Sequence, residues 1–391
     1  MSRIQRFYRP PALTYANSLE AFDESMTEAV RLAKLLEEAN PESDKVLQLV
    51  SSVESFDWSL PVTHSQWHRP DLGLEKYQDW IEKILKTLRE WFKKIRDWIK
   101  QHANAVSTAL KSMKFQTENL KVNSHVALKG LNNRTQPMVV TQRVYALAVM
   151  YRPPLNVGSI ISGLAQQEQQ LESYYRWQSR LLQDSPRFAR TLQNVNLQEW
   201  NEDQQSRVLN EVKALLPNPA QLKLSPIPGR EGDYGGIHLQ GSRRLVYKQR
   251  DPGLGSLQSF NGVSMALEQS MGNPQQIPNQ FNLPHFTLIA SDQCLDQILS
   301  LVKTLQPHFD AAAMRKRMAV FEALEKAGEQ LAQAAQNLED GHPQAKNAGR
   351  QLLYLSRTVA DWLETPYQGL ANNALNAMRG AYMVCSLNSK S

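Results

Sequence analysis

Between Glu75 and His102 the chain reads EKYQDWIEKILKTLREWFKKIRDWIKQH, and no other stretch narrows the possible folds as much. Tyr77, Trp80, Ile81, Ile84, Leu85, Leu88, Trp91, Phe92, Ile95, Trp98 and Ile99 recur at alternating steps of three and four, the spacing of one face of a helix. The opposite face carries Lys76, Lys83, Lys86, Arg89, Lys93, Lys94, Arg96 and Lys100, against four acidic residues between 76 and 100. Such a helix can pack its apolar stripe into an α-helical body and leave its basic face in solvent. It can also lie on an anionic membrane, tryptophans at the headgroup boundary and lysines outside. Packing is the commoner use of this pattern. It makes Trp80, Ile84, Leu88, Trp91, Ile95 and Trp98 buried interface residues, and leaves Lys83, Lys86, Lys93 and Lys94 solvated.

Periodicity and breakers extend the helical reading along most of the chain. A helical pattern runs on from Ala103 to about Gln116, and a short helix in TQRVYALAVMYRPP ends at Pro153 and Pro154. One long helix is expected over 156–195, broken at Pro186, and another over 202–216, stopped by Pro217-Asn218-Pro219. After an insert, helices are expected at 292–305, 309–339, 343–364 and 367–383, with the tail SLNSKS frayed. In the insert, Gly and Pro accumulate. GIHLQGSRRLVYKQRDP alternates like a hairpin, with Ile237-His238-Leu239 facing Leu245-Val246-Tyr247 across a Gln240-Gly241-Ser242 turn and Phe286–Ala290 as a third strand. The expected class is mainly α (α+β), an elongated helical body with a small antiparallel β insert near 222–290.

Chemistry is thin. His285 in PHFTL has the His-x-Thr form of two-histidine phosphoesterases but lacks a matching second motif, and His238 in GIHLQ supplies none. Both read as structural histidines, His285 at a strand start. PIPGREGDYGG lacks the lysine and Ser/Thr of a phosphate loop and the three-glycine dinucleotide fingerprint, so it reads as a loop bounding the hairpin. Neither the eight histidines nor Cys294 and Cys385 fall at metal-ligand spacing, and the two cysteines read as unpaired thiols in a reducing compartment. No catalytic residue, cofactor or metal is assigned, and a non-enzyme is expected. No window reaches the apolar length of a membrane span, and the polar start MSRIQRFYRP lacks the core of a secretory signal, so synthesis in a cytoplasm is expected.

The N-terminal region differs from the rest in charge and in repetition. Residues 1–54 hold 6 basic and 9 acidic side chains, leaving 38 and 29 for the remainder, so an acidic piece precedes a body of net charge +9 within a chain of +6. Inside it, Ser18-Leu19-Glu20-Ala-Phe-Asp-Glu-Ser-Met returns as Ser52-Val53-Glu54-Ser55-Phe-Asp-Trp-Ser-Leu. Helical segments MTEAVRLAKLLEEAN and DKVLQLVSSVE lie between the copies, and the Pro-, Gly- and Ser-rich loop SLPVTHSQWHRPDLG follows. The bodies thus delimited are a leader 1–54, a loop 55–75, a helical domain 76–217, a β/loop insert 218–291 and an Ala-rich helical region 292–391.

This arrangement, a repeated Ser-x-Glu-x-Phe-Asp-x-Ser motif ahead of a Trp- and Lys-rich amphipathic stretch, resembles the inner-head virion proteins of giant tailed phages of the phiKZ type. The likeness is specific over roughly residues 15–100 and architectural elsewhere. It implies a propeptide that directs the chain into the prohead and is cut by the prohead protease after a Ser/Ala/Gly-x-Glu tripeptide. On this sequence the cut would follow Glu54, within Ser52-Val53-Glu54-Ser55, with Ser18-Leu19-Glu20 a secondary or vestigial site. Ala266-Leu267-Glu268 and Ala323-Leu324-Glu325 match the tripeptide too, but in segments that read as helix, where a protease cannot find extended chain. The plainer reading of the repeat is that it caps two helices, with Ser as N-cap and Phe as packing residue.

The partners implied are the prohead protease, other capsid and inner-head proteins, and packaged DNA through charge alone, since no base-reading motif is visible. The localisation implied is the capsid interior. A membrane-active protein working through 76–100, and an enzyme hidden in the β insert, are the competing classes.

Overall fold

The computed structural model describes residues 105–124, 136–141, 143–249, 251, 253–270, 278–338 and 343–390, with isolated helical positions at 89, 90 and 93. All belong to the second of the two units into which the chain divides, Tyr77–Ser391. This part is mainly helical with small antiparallel sheets.

Helix α1 covers 105–124, and its buried positions Val106, Leu110, Met113, Thr117, Leu120 and Ser124 fall at steps of three and four, so one face is committed to the core. Strand β1 (Met138–Val140) and the single-turn α2 (Val144–Leu147) lead to α3 (Val157–Gln193), the longest element. Asn156 starts α3 as N-cap, its side chain accepting from Ser159 N. Asn201 does the same for α4 (Glu202–Leu215), Thr287 for α5 (Leu288–Leu305) and Asp310 for α6 (Ala311–Gln336). Helices α7 (Pro343–Glu364) and α8 (Tyr367–Lys390) complete the chain. Helix α3 lies at the centre of the packing and touches α4, α5, α6, α7 and α8. Its Glu168 binds α5 through three donors, Gln297 Nε2 at 2.5 Å, Ser300 Oγ at 2.6 Å and Thr304 Oγ1 at 3.0 Å.

The expected break at Pro186 does not occur: α3 runs through it, because buried Phe188, Ala189 and Leu192 continue the apolar stripe on the far side. The frayed tail is also corrected. Helix α8 extends to Lys390, since buried Asn388 accepts from Phe286 N at 3.2 Å and donates to Phe286 O at 3.0 Å.

The β elements form two sheets. Strands β2 (Ser225–Pro226), β3 (Asp233–Gly235), β4 (Arg243–Gln249) and β5 (Val263–Gln269) make an antiparallel sheet in sequence order. A two-stranded sheet pairs β1 with β6 (Phe281–Leu283), so the insert is joined to the first helical region by hydrogen bonds. The hairpin exists, but its register is displaced: Tyr247 and Val246 face Tyr234 and Gly235, and Leu239 pairs only with Arg243 beside the turn. The third strand is not Phe286–Ala290, which belongs to the start of α5, but Val263–Gln269. Ala266-Leu267-Glu268 is therefore strand rather than helix, while Ala323-Leu324-Glu325 lies in α6 as expected. Strand alternation puts Leu245, Tyr247, Val263, Met265 and Leu267 on one face and Arg244, Lys248 and Glu268 on the other. Trp362 of α7 ties the sheet to the helices by donating Nε1–H to Val263 O at 3.1 Å.

Candidate functional site

The greatest concentration of perturbed ionisable groups surrounds Arg317, where α3, α6, α7 and α8 meet. A helix ends with its last carbonyls unpaired, and α7 ends inside the protein, so partners must come from neighbours. Two do. Gln178 of α3 donates Nε2–H to Trp362 O at 2.7 Å, and Arg317 of α6 donates from Nη1 to Leu363 O. The cation also offsets the negative end of the α7 dipole. Arg317 Nη2 donates to Gln178 Oε1 at 3.2 Å, and its guanidinium carbon sits 3.5 Å from the centre of the Tyr367 ring. One turn along, Tyr175 donates its hydroxyl to Tyr367 O at 2.8 Å, and Tyr367 donates its own to His308 O. The His308 ring stacks on Tyr175, centroids 4.4 Å apart.

Burial governs the ionisation here. Arg317 is 1 % exposed. Glu364 is half-buried as a residue, but both its carboxyl oxygens are shielded from water. Burial drives its pKa up to about 8 against the opposing pull of Arg317, so it carries a proton at neutral pH. Asp361 is raised to about 6 by the same cause, with Arg357 opposing. His308 moves the other way, down to about 4 through burial and the nearby Arg317, and is a neutral imidazole. Tyr174 and Tyr175 are held far from ionisation by burial. The donors are turned toward backbone carbonyls, so the cluster is built to fasten helix ends together.

A second centre is the Gln240-Gly241-Ser242 turn, buried between α3, α8 and the 148–151 segment. Gln240 Nε2 donates to Ile160 O at 3.2 Å, Asn373 Nδ2 to Gln240 O at 2.9 Å and Ser242 N to Ala148 O at 3.0 Å. Ser242 Oγ accepts from Tyr151 N at 2.7 Å. Gly241 has φ +82°, and a Cβ there would lie 2.5 Å from Asn373 Oδ1, so both backbone and space require glycine. Opposite it, Met150 and Tyr151 have φ of 50° and 64° at the centre of a tight turn closed by Val149 and Arg152. Neither is a residue that adopts this conformation readily, and the Ser242 bond to Tyr151 N helps to hold it.

At the edge of this turn, His238 Nδ1 lies 2.9 Å from Ser270 Oγ. Burial and then Arg244 lower the His238 pKa, which favours neutral imidazole. A serine and a neutral histidine in contact are the two members of a nucleophilic dyad. Ser270 is nevertheless buried, and its amide already donates to Ser242 O at 2.7 Å, so that N–H is not free for an oxyanion. His285 Nδ1 is 3.1 Å from Asn388 Oδ1. It stands in the loop just before the α5 cap, not at a strand start. Both histidines therefore serve as hydrogen-bonded joints between elements. Among the described residues, no group of His, Cys, Asp and Glu is arranged to hold a metal ion.

Ser18, Leu19, Glu20, Ser52, Val53, Glu54 and Ser55, where cleavage is expected from the sequence, lie outside the described residues. So do Trp80, Lys83, Ile84, Lys86, Leu88, Trp91, Lys94, Ile95 and Trp98 of the amphipathic run. Its Arg89, Glu90 and Lys93 are described: all three are helical and exposed, and Arg89 pairs with Glu329 of α6 at 2.5 Å. Among the described residues no helix is long and apolar enough to cross a membrane. Sequence reading did not single out Glu364, or Arg317 and Tyr367, whose hydrogen-bond partners are 46 to 192 positions away. The one available signal was an arginine at a core-facing position of an Ala-rich helix. No family model, curated protein or solved structure matches the chain.

Proposed function

We propose that this chain is a non-enzymatic structural protein of a phage virion, packaged inside the capsid and matured by cleavage after Glu54. The observation that carries the reading is the repeated Ser-x-Glu-x-Phe-Asp-x-Ser motif at Ser18 and Ser52, placed where an acidic leader gives way to a basic body. A leader of net charge −3 weakens premature association of the body with polyanions, and its loss raises the net charge from +6 to +9. The remaining chain then tolerates the phosphates of packaged DNA without reading their sequence. The use of Arg317, Gln178, Tyr175, His238 and His285 as internal joints suits a protein whose task is to persist as a body. Its partners on this reading are the prohead protease, neighbouring capsid proteins and the genome.

Mass spectrometry of assembled particles tests the proposal. Scarce peptides from 21–54 beside a semi-specific peptide beginning at Ser55 are expected, and Glu54→Gln should preserve shape but weaken recognition by a pocket that binds the carboxylate. Peptides covering 21–54 at the stoichiometry of the body would overturn it.

A further inference from the structure

The two cysteines of the chain stand 91 positions apart, and each is 0 % exposed. The fold brings them together. Cys294 lies in the second turn of α5 and Cys385 in the last turns of α8, two helices packed side by side. The Cys385 side chain beside it and, next, burial raise the Cys294 thiol well above its usual range. The contact is held in register by Asn388, one turn beyond Cys385, through its two bonds to the backbone of Phe286 ahead of α5. Both thiols are free in this state.

We propose that Cys294 and Cys385 are a redox pair that closes into an intramolecular disulfide when the chain meets a low-molecular-weight disulfide such as oxidised glutathione. Opening of the last turns of α8 exposes Cys385, which as thiolate attacks one sulfur of the oxidant, forming a mixed disulfide and releasing one glutathione thiolate. When the helix closes again, the Cys294 thiolate attacks the Cys385 sulfur and expels the second glutathione. Two protein thiols are oxidised, one glutathione disulfide is reduced, and the two protons given up by the protein thiols end on the two departing glutathione thiolates. The product joins α5 to α8 covalently and closes a long loop of the unfolded chain, which restricts that state more than the folded one. Burial makes the reaction slow, so the bond records long residence in an oxidising medium rather than a brief exposure. The inference stands independently of the capsid reading.

The full-length chain is incubated with oxidised glutathione, quenched in acid, denatured and labelled with a mass-tagged maleimide. The wild type should lose both reactive thiols together, with no glutathione mass retained. It should run as a faster monomer on a non-reducing gel and melt roughly 5–10 °C above the reduced protein. Cys294→Ala and Cys385→Ala should each stop at one thiol or one mixed disulfide, with no reductant-sensitive shift in melting. Wild-type protein that keeps two thiols after prolonged incubation, including in mild urea, would overturn the proposal. So would one that gives only mixed disulfides or linked dimers. Because these outcomes are read on the wild type, a variant that fails to fold does not rescue the idea.

Discussion

The surroundings of Arg317 and the outer face of the four-stranded sheet use the same kinds of charge in opposite ways. On the sheet, Glu268 accepts from Lys248 at 2.6 Å and from Arg230 at 3.0 Å, with Arg230 also 3.9 Å from Asp233. Burial works against the charge of Glu268, but the two cations hold its pKa below the usual carboxylate value, and water reaches all three heads. Around Arg317, water is excluded and the neighbouring Glu364 is neutral, so the cation is balanced by carbonyl dipoles and a ring face. The first arrangement trades strength for tolerance. The second is rigid and has no solvent to repair a loss.

The largest effect should follow from breaking the interior arrangement. Arg317→Ala leaves Leu363 O and Gln178 Oε1 without their donor and opens space beside Tyr367, and should cost about 3–5 kcal/mol in urea unfolding. A loss below about 1 kcal/mol would place Arg317 with the solvated charges and remove the contrast.

The pH response should come next in size. The folded-state pKa of Glu364, about 8, lies above the ordinary value of 4.5, so its stabilising contribution is complete below pH 4.5 and is lost as pH rises through 8. The chain should be about 1–2 kcal/mol less stable at pH 8.5 than at pH 6.5, and Glu364→Gln should flatten that slope. His308 has the opposite sign. Depressed from 6.5 to about 4, it contributes stability above pH 6.5 that is lost as pH falls toward 4. Between pH 4.5 and 6.5 the rise from His308 opposes the fall from Glu364 and from Asp361, raised from 3.8 to about 6, so the clearest loss should come above pH 6.5, and His308→Phe should remove the opposing contribution below it.

Tyr175→Phe keeps the stacking on His308 but removes the donor to Tyr367 O, and should cost about 1 kcal/mol by the same measurement. The smallest effect belongs to the sheet. Glu268→Gln should cost less than about 1 kcal/mol, and the difference from wild type should shrink in high salt. If Glu268→Gln proved as damaging as Arg317→Ala, solvent access would not be what separates the two sites.

What could be read from the sequence follows how local each signal is. Helices α3 to α6 were legible near their observed bounds because an apolar stripe and an Asn, Thr or Asp cap lie within or next to each element. Strand β5 was not, since Val-Ser-Met-Ala-Leu-Glu-Gln contains good helix formers and becomes a strand only because β4 pairs along its whole length. The hairpin turn was placed correctly, yet its register depends on Gly236 N donating to Leu245 O, which no alternation pattern specifies. Pairing of Met138–Val140 with Phe281–Leu283 has no local sign at all. The centre at Arg317 was hidden for the same reason: each member looks ordinary on its own helix, and only tertiary packing turns Gln178 toward the end of α7.

The buried Gln240-Gly241-Ser242 turn bears on how the chain reaches this state. A hairpin tip normally forms early, because its own strands are adjacent, but this one is completed by Ile160 and Asn373, 80 and 133 positions away. Its bonds to Ala148 and Tyr151 also span more than 90 positions. Such contacts form only after α3 and α8 have come together, so the strained Met150-Tyr151 turn has no reward until then. In pulse-labelling hydrogen exchange during refolding, the Tyr151, Ser242 and Ser270 amides should gain protection after those of α6, as one late cooperative step. The tip of the sheet would then act as a latch, and its closure would mark the moment at which the separate helices become one object.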